Sequence, residues 1–124
     1  MEGYYVKIIE ASFDLTARDK VRFKAFDDMF QLDTLVTPEE PLLIDVTGYV
    51  IAEVHNEKSD NKDYTKFIIV GKDGNNYITG SEPFWNQFKD VYSEMKEEEG
   101  WQLKVYKRES KNYKGKQFLT CTVA

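Results

Sequence analysis

An alternating apolar pattern beginning at Leu42 constrains the fold of this 124-residue chain more than any other feature. Apolar side chains or glycine occupy every second position from Ile44 to Val54, and the intervening positions are mostly polar. A period of two predicts a β-strand of up to about twelve residues. Gly48 lies in the middle of the inward-facing set, where a missing side chain permits a sharp bend or close packing.

Further strand signals follow this one, and a helix divides them. Strands are predicted over residues 64–70, 76–79, 101–107 and 117–123. Asp73-Gly74 supplies the turn between the first two of these. Ser81 as N-cap and Pro83 in the first turn then begin a helix with an aromatic apolar side.

The residues before the long strand predict two more elements and a linker. Residues 4–13 alternate loosely and predict a strand. Residues 16–30 predict a helix, because Thr16 can cap it and Asp19 follows three positions later. Residues 32–41 contain two prolines and predict a linker or loop.

Together these elements predict a mainly β protein with two helices. A long first strand and a helix between strands three and four describe the OB-fold, a five-stranded, partly open Greek-key barrel. We expect one domain over residues 1–124, with the barrel in 42–124 and a strand-helix extension in 1–41. A small SH3-like barrel or an α+β sheet would share much of this order.

Composition excludes several classes of function. Cys121 is the only cysteine and His55 the only histidine, which argues against a disulfide and against a zinc centre. We expect a soluble protein of a reducing compartment, because no apolar run approaches the roughly 20 residues that span a bilayer and no signal peptide is recognisable. No phosphate-binding loop or nucleophile motif is visible, so neither enzyme activity nor a cofactor is expected.

The net charge of the chain is unevenly distributed. Residues 101–123 carry six basic side chains and one acidic one, for a local charge of +5 within a chain of net charge −5. A basic segment with aromatic residues among its charges is typical of a surface that binds nucleic acid.

Strand alternation predicts that the aromatic residues share an outer face. If the inward-facing apolar residues line the barrel, with Phe67, Ile69 and Val123 among them and Ile68 outside, each strand presents one exposed ring. These rings are Tyr49, Tyr64, Tyr77, Tyr106 and Phe118, with Lys66, Lys104 and Arg108 on the same face and Lys111, Tyr113, Lys114 and Lys116 in the adjoining loop. Bases stack on exposed rings and cations follow phosphates, so this set predicts binding of single-stranded nucleic acid. Each tyrosine could equally be a structural strand residue.

Three segments carry a family resemblance: HNEK at 55–58, TGSEPFWNQF at 79–88 and SKNYKGKQF at 110–118. With them, residues 46–123 resemble the small single-stranded-DNA-binding proteins of Gram-positive phages and mobile genetic elements. The resemblance implies an OB-like fold and a role in coating single-stranded DNA during replication, in the cytoplasm of a bacterial host.

Two hypotheses follow from the sequence. The first is binding of single-stranded DNA, with RNA left open as a further ligand, largely independently of base sequence. The second is an OB-like protein-interaction module without nucleic-acid binding, such as a phage or plasmid accessory factor that uses the same aromatic face to hold a host protein. Replication proteins are possible partners under either hypothesis, no membrane is expected to be one, and the chain is expected to be a monomer or a weak homo-oligomer.

Overall fold

Two β-sheets contain most of the regular structure in the computed structural model of this chain, which describes residues 3–109 and 115–124. Of these residues, 44 % lie in strands and 21 % in helices, so the prediction of a mainly β protein is confirmed. The elements in chain order are β1 Tyr4–Ala11, α1 Ala17–Phe23, β2 Phe30–Gln31, α2 Leu32–Leu35, β3 Leu42–Ile44, β4 Val46–Asn56, β5 Asp63–Gly71, β6 Asn76–Thr79, α3 Glu82–Met95, β7 Leu103–Glu109 and β8 Gln117–Val123.

The chain folds into two compact units that interleave along the sequence. The first unit contains the residues up to Gln31 together with Thr47–Gly80, and the second contains Leu32–Val46 together with the residues from Ser81 onward. The strand predicted over residues 42–54 is therefore two strands that belong to different sheets. It is interrupted at Asp45, with β3 on one side and β4 on the other.

The first unit is built on a five-stranded sheet in the order β1-β4-β5-β6-β2. The predicted N-terminal strand is confirmed as β1, and it pairs antiparallel with β4. One face of this sheet packs against the segment that contains α1. The buried side chains of that core are Phe23, Met29, Val50, Ile68 and Ile78.

The helix α1 is shorter than the sequence predicts. Its capping box is present as expected, with Thr16 and Asp19 each bonding the backbone N–H of the other at 3.0–3.1 Å. It ends at Phe23, so the prediction of a helix to residue 30 is wrong. Asp27 and Asp28 would lie near the negative end of a longer helix, which is unfavourable, and a turn instead buries Met29 in the core.

Gly48 provides close packing in the first unit. A Cβ atom there would lie 2.6 Å from the Ser12 Oγ and 2.9 Å from the Phe13 Cδ1. The Ser12 hydroxyl accepts a hydrogen bond from the Tyr49 N–H at 2.8 Å, which holds the end of β1 beside β4. The missing side chain therefore lets the segment after β1 approach β4 directly.

The second unit is built on a three-stranded sheet in the order β3-β7-β8, against which α3 packs. Ser81 caps α3 as predicted, since its hydroxyl accepts from the Phe84 N–H at 3.3 Å. The apolar side of α3 is buried through Phe84, Trp85, Phe88 and Val91.

A third helix, α2, lies where the sequence predicts only a linker. It is a single turn whose Leu32 is fully buried, as is the following Val36, so the prediction of two helices is wrong. None of the helices in the described residues is long and apolar enough to cross a membrane.

Candidate nucleic-acid interface

The strongest candidate surface is one face of the three-stranded sheet in the second unit. Alternation along β7 buries Leu103 and Val105, as predicted, and turns Lys104, Tyr106 and Arg108 to the opposite face. We call this opposite face the outer face. The register of β3, β7 and β8 assigns to it Leu43, Lys104, Tyr106, Arg108, Phe118, Thr120 and Thr122.

On the outer face, cations lie over aromatic rings. The Lys104 Nζ lies 5.5 Å from the centroid of the Tyr106 ring, and the Arg108 Cζ lies 5.1 Å from that of Phe118. Arg108 and Phe118 are directly opposite each other on β7 and β8. Such contacts contribute about 0.5–1 kcal/mol at exposed sites, less than a base gains by stacking on a ring, about 1–3 kcal/mol.

The outer face has a positive electrostatic character. Its seven residues include two cations and no acid. Glu109 alternates to the other side of β7, where its carboxylate accepts a hydrogen bond from the Gly115 N–H at 3.2 Å. The Lys107 side chain also lies on the side of β7 opposite the outer face, where its ammonium donates a hydrogen bond to the backbone carbonyl of Asp33.

The loop beside this face is only partly described. Lys116 is exposed immediately before β8, whereas Lys111, Tyr113 and Lys114 lie outside the described residues. Phe118 is exposed as predicted, but Val123, predicted to face inward, is 41 % exposed at the end of the strand. Cys121 is buried as predicted, and burial raises the pKa of its thiol to about 12.

Two of the predicted site residues in the first unit, Tyr64 and Lys66, lie on β5. The Lys66 Nζ lies 5.7 Å from the centroid of the Tyr64 ring, and both side chains are half-buried. This pair repeats the combination of cation and ring seen on the outer face.

The prediction that Tyr49 and Tyr77 present exposed rings is wrong. Tyr49 is 8 % exposed, and its hydroxyl donates to the Glu10 carboxylate at 2.6 Å. Tyr77 is 6 % exposed, and its ring stacks on that of Phe30 in β2 with the centroids 5.7 Å apart. Burial is the main cause of the raised pKa of the Tyr77 hydroxyl, followed by the nearby Asp73 carboxylate.

The assignment of faces along β5 is also wrong. Ile68 is fully buried in the core and lies directly opposite Ile78, while Ile69 lies opposite Tyr77. Because directly paired residues share a face, Ile78 cannot lie on the face of Ile69, as the prediction required. Both faces of β5 are buried at this point, because Phe67, Ile68 and Ile69 are all buried. Strand alternation therefore does not identify a solvent-exposed face here.

Reasoning from the sequence missed a cluster of side chains around His55 in the first unit. The His55 ring stacks on Tyr5 with centroids 5.0 Å apart. Its Nδ1 lies 2.7 Å from Asp63 and its Nε2 lies 2.6 Å from Glu57, and Lys62 also contacts Glu57 at 3.3 Å. The alternation of β1 was the signal that could have predicted this cluster. When β1 pairs with β4, Tyr5 lies directly opposite His55.

The charges of this cluster depend on one another. The hydrogen bond to Asp63 is the main cause of the raised pKa of His55, and the bond to Glu57 adds to it. His55 in turn lowers the pKa of Glu57, with a smaller effect from Lys62. An imidazole between two carboxylates is favoured as the doubly protonated cation. Across the described ranges 3–109 and 115–124, no group of three or more histidine, cysteine or acidic side chains is arranged to hold a metal ion.

No protein-family model, curated protein or solved structure matches this chain. The resemblance to phage and mobile-element proteins therefore stays a prediction.

Proposed function

We propose that this protein binds single-stranded DNA largely independently of base sequence, through the outer face of the second unit. Bases stack on Tyr106 and Phe118, and phosphates contact Lys104 and Arg108. The observation that carries this proposal is that each ring on this acid-free face has a cation beside it, Tyr106 with Lys104 on the same strand and Phe118 with Arg108 on the neighbouring strand. Tyr64 and Lys66 provide a second element of the same kind in the first unit.

The weakness of the cation–ring contacts on the outer face supports the replacement of each cation by a stacking base. A cation over an exposed ring contributes about 0.5–1 kcal/mol, so a stacking base displaces it at small cost. The displaced ammonium or guanidinium then remains near the ring, where the phosphate of the same nucleotide lies. Affinity thus arises from backbone charge and from the faces of the bases, neither of which depends on base identity.

We also propose an OB-like fold for this chain. The support is the order of the strands: β3 pairs with β7, β4 continues into the antiparallel series β4-β5-β6, and α3 separates that series from the β7-β8 hairpin. This order is consistent with an OB-fold, a five-stranded, partly open Greek-key barrel. The role in phage or mobile-element replication, in a bacterial cytoplasm and without catalysis, follows from the resemblance and belongs to the same proposal.

A direct binding assay tests the proposed function. We expect a fluorescently labelled oligothymidine to gain anisotropy on addition of the protein at low salt, and unlabelled single-stranded DNA to compete for it. Double-stranded DNA of the same length should compete poorly, because its bases are not available for stacking. Equal competition by both forms, or no gain in anisotropy, would overturn the proposal.

The alternative, a protein-interaction module, is supported by exposed apolar side chains in the first unit. Ile9 on the edge strand β1 is 47 % exposed, and Val21 on α1 is 71 % exposed. If a gel shift at low salt detects neither single- nor double-stranded DNA, this alternative becomes the better account of the molecule.

A further inference from the structure

A depression crosses the face of three neighbouring strands in the first unit. Its volume is ≈ 430 Å³, within the roughly 300–1,000 Å³ of typical small-molecule sites. Its polar and aromatic lining residues are Tyr5 and Lys7 from β1, Glu53 and His55 from β4, and Asp63, Tyr64 and Thr65 from β5.

Tyr5 forms a fixed aromatic platform in this depression. One face of its ring rests on His55 at 5.0 Å and an interplanar angle of 19°, while the side chain as a whole is 54 % exposed. His55 is itself held at both ring nitrogens, by Asp63 and by Glu57. A base stacking on Tyr5 would therefore meet a ring whose orientation is already set, which reduces the entropy lost on binding.

The edge of the depression offers hydrogen-bond acceptors. His55 has both ring nitrogens occupied by carboxylates, so it is not available to read a base. Glu53 lies on the same strand two residues earlier, and its carboxylate only accepts hydrogen bonds when ionised. Lys7 lies directly opposite Glu53 on β1 and supplies a cation at the same edge.

We propose that this depression is a site for one nucleobase of a single-stranded nucleic acid and that it prefers a base with an exocyclic amino group. This inference rests on the proposed function. A carboxylate accepts a hydrogen bond from the N4 amino group of cytosine, whereas thymine presents a carbonyl oxygen at the equivalent position and is repelled. Tyr5 stacks the base, Glu53 reads its amino group, and Lys7 contacts the adjoining phosphate.

The test compares oligodeoxycytidine with oligothymidine of equal length on the wild type and on Glu53→Gln. Glutamine keeps the size of the side chain but adds an amide N–H, which can donate a hydrogen bond to the thymine carbonyl, while its amide oxygen still accepts from the cytosine amino group. We expect the ratio of the two dissociation constants to shift towards thymidine by about fivefold in the variant, the lower end of what one base-edge contact contributes.

Glu97→Gln is the matched control, because it removes one exposed acidic charge from the second unit. It should change the affinity for both oligonucleotides equally and leave their ratio unaltered. A ratio that is the same in the wild type and in Glu53→Gln overturns the nucleobase site and leaves the proposed function standing. Failure of the wild type to bind either oligonucleotide overturns both.

Discussion

Phe118 and Tyr106 are the residues whose loss is most informative at the scale of single side chains. Both lie on the outer face, in contact with Arg108 and Lys104 respectively. Their rings serve as stacking surfaces in our account, and neither contributes to the buried core. Replacing one of them should therefore reduce DNA binding without unfolding the protein.

We expect Phe118→Ala to weaken the binding of oligothymidine by roughly tenfold, within the 1–3 kcal/mol that a stacked base contributes. Binding is measured by fluorescence anisotropy at constant salt, with the melting temperature as a check on folding. Tyr4→Ala is a suitable control, because Tyr4 is similarly exposed, at 40 % against 41 % for Phe118, but belongs to the first unit. An equal loss of affinity in both variants would contradict the assignment of the outer face.

His55 predicts a pH dependence of stability. Its pKa in the folded protein is raised above the ordinary value of 6.5, so the folded state holds its proton more tightly than the unfolded state does. The stabilisation is complete below about pH 6.5 and is lost as the pH rises through the raised pKa. The pKa of Glu57 is lowered from its ordinary value of 4.5, so the ionised carboxylate stabilises the folded state above that pH. This stabilisation is lost as the pH falls from 4.5 through the lowered pKa of the folded state.

The measurement is the free energy of unfolding in urea between about pH 6 and pH 9 for the wild type and for His55→Gln. The advantage of the wild type should shrink as the pH rises. Lys58→Gln is the control, because Lys58 is exposed in the loop between β4 and β5. Its free energy of unfolding should depend on pH as that of the wild type does. A difference between wild type and His55→Gln that does not vary with pH would show that the imidazole is not bound as a cation.

At the scale of elements, Gly48 fixes the position of β4 against the end of β1. We expect Gly48→Ala to lower the free energy of unfolding by about 1–3 kcal/mol, because the new Cβ would overlap Ser12 and Phe13. Gly80→Ala is the matched control, since its Cβ would meet only ordinary contacts at 3.8 and 3.9 Å. Urea unfolding curves that show equal stability for the two variants would contradict the close packing at Gly48.

Local signals in the sequence predicted several elements well. Ser81 and Pro83 marked the start of α3, Asp73-Gly74 marked the turn between β5 and β6, and the alternation of β7 assigned its two faces. Each of these depends on residues that are close together in the chain, through capping, turn geometry or strand alternation.

Features that depend on distant partners could not be predicted in the same way. The alternation is uninterrupted through Asp45, yet β3 and β4 separate there because they pair with different strands. Tyr49 looked exposed because its own strand cannot indicate that β1 supplies Glu10 as a partner for its hydroxyl. Likewise, no residue near Tyr77 in the sequence indicates that the ring of Phe30 covers its side chain.

At the scale of the whole molecule, an acidic chain carries a local basic segment. A net charge of −5 disfavours non-specific attraction to DNA over the whole surface, whereas residues 101–123 carry +5. Binding in our account therefore takes its main phosphate contacts from one side of the second unit. Its dependence on salt should reflect a few local cations rather than the net charge of the chain.

The most direct test of that claim is the salt dependence of oligothymidine binding in the double variant Lys104→Gln/Arg108→Gln. Each phosphate neutralised contributes about 0.7 to the slope of log affinity against log salt for a single strand, so losing two contacts should flatten it by about 1.4. Lys20→Gln/Arg22→Gln on α1 removes the same charge from the first unit and should leave the slope unchanged. A slope flattened equally by both double variants, or unaffected by Lys104→Gln/Arg108→Gln, would contradict binding through the outer face.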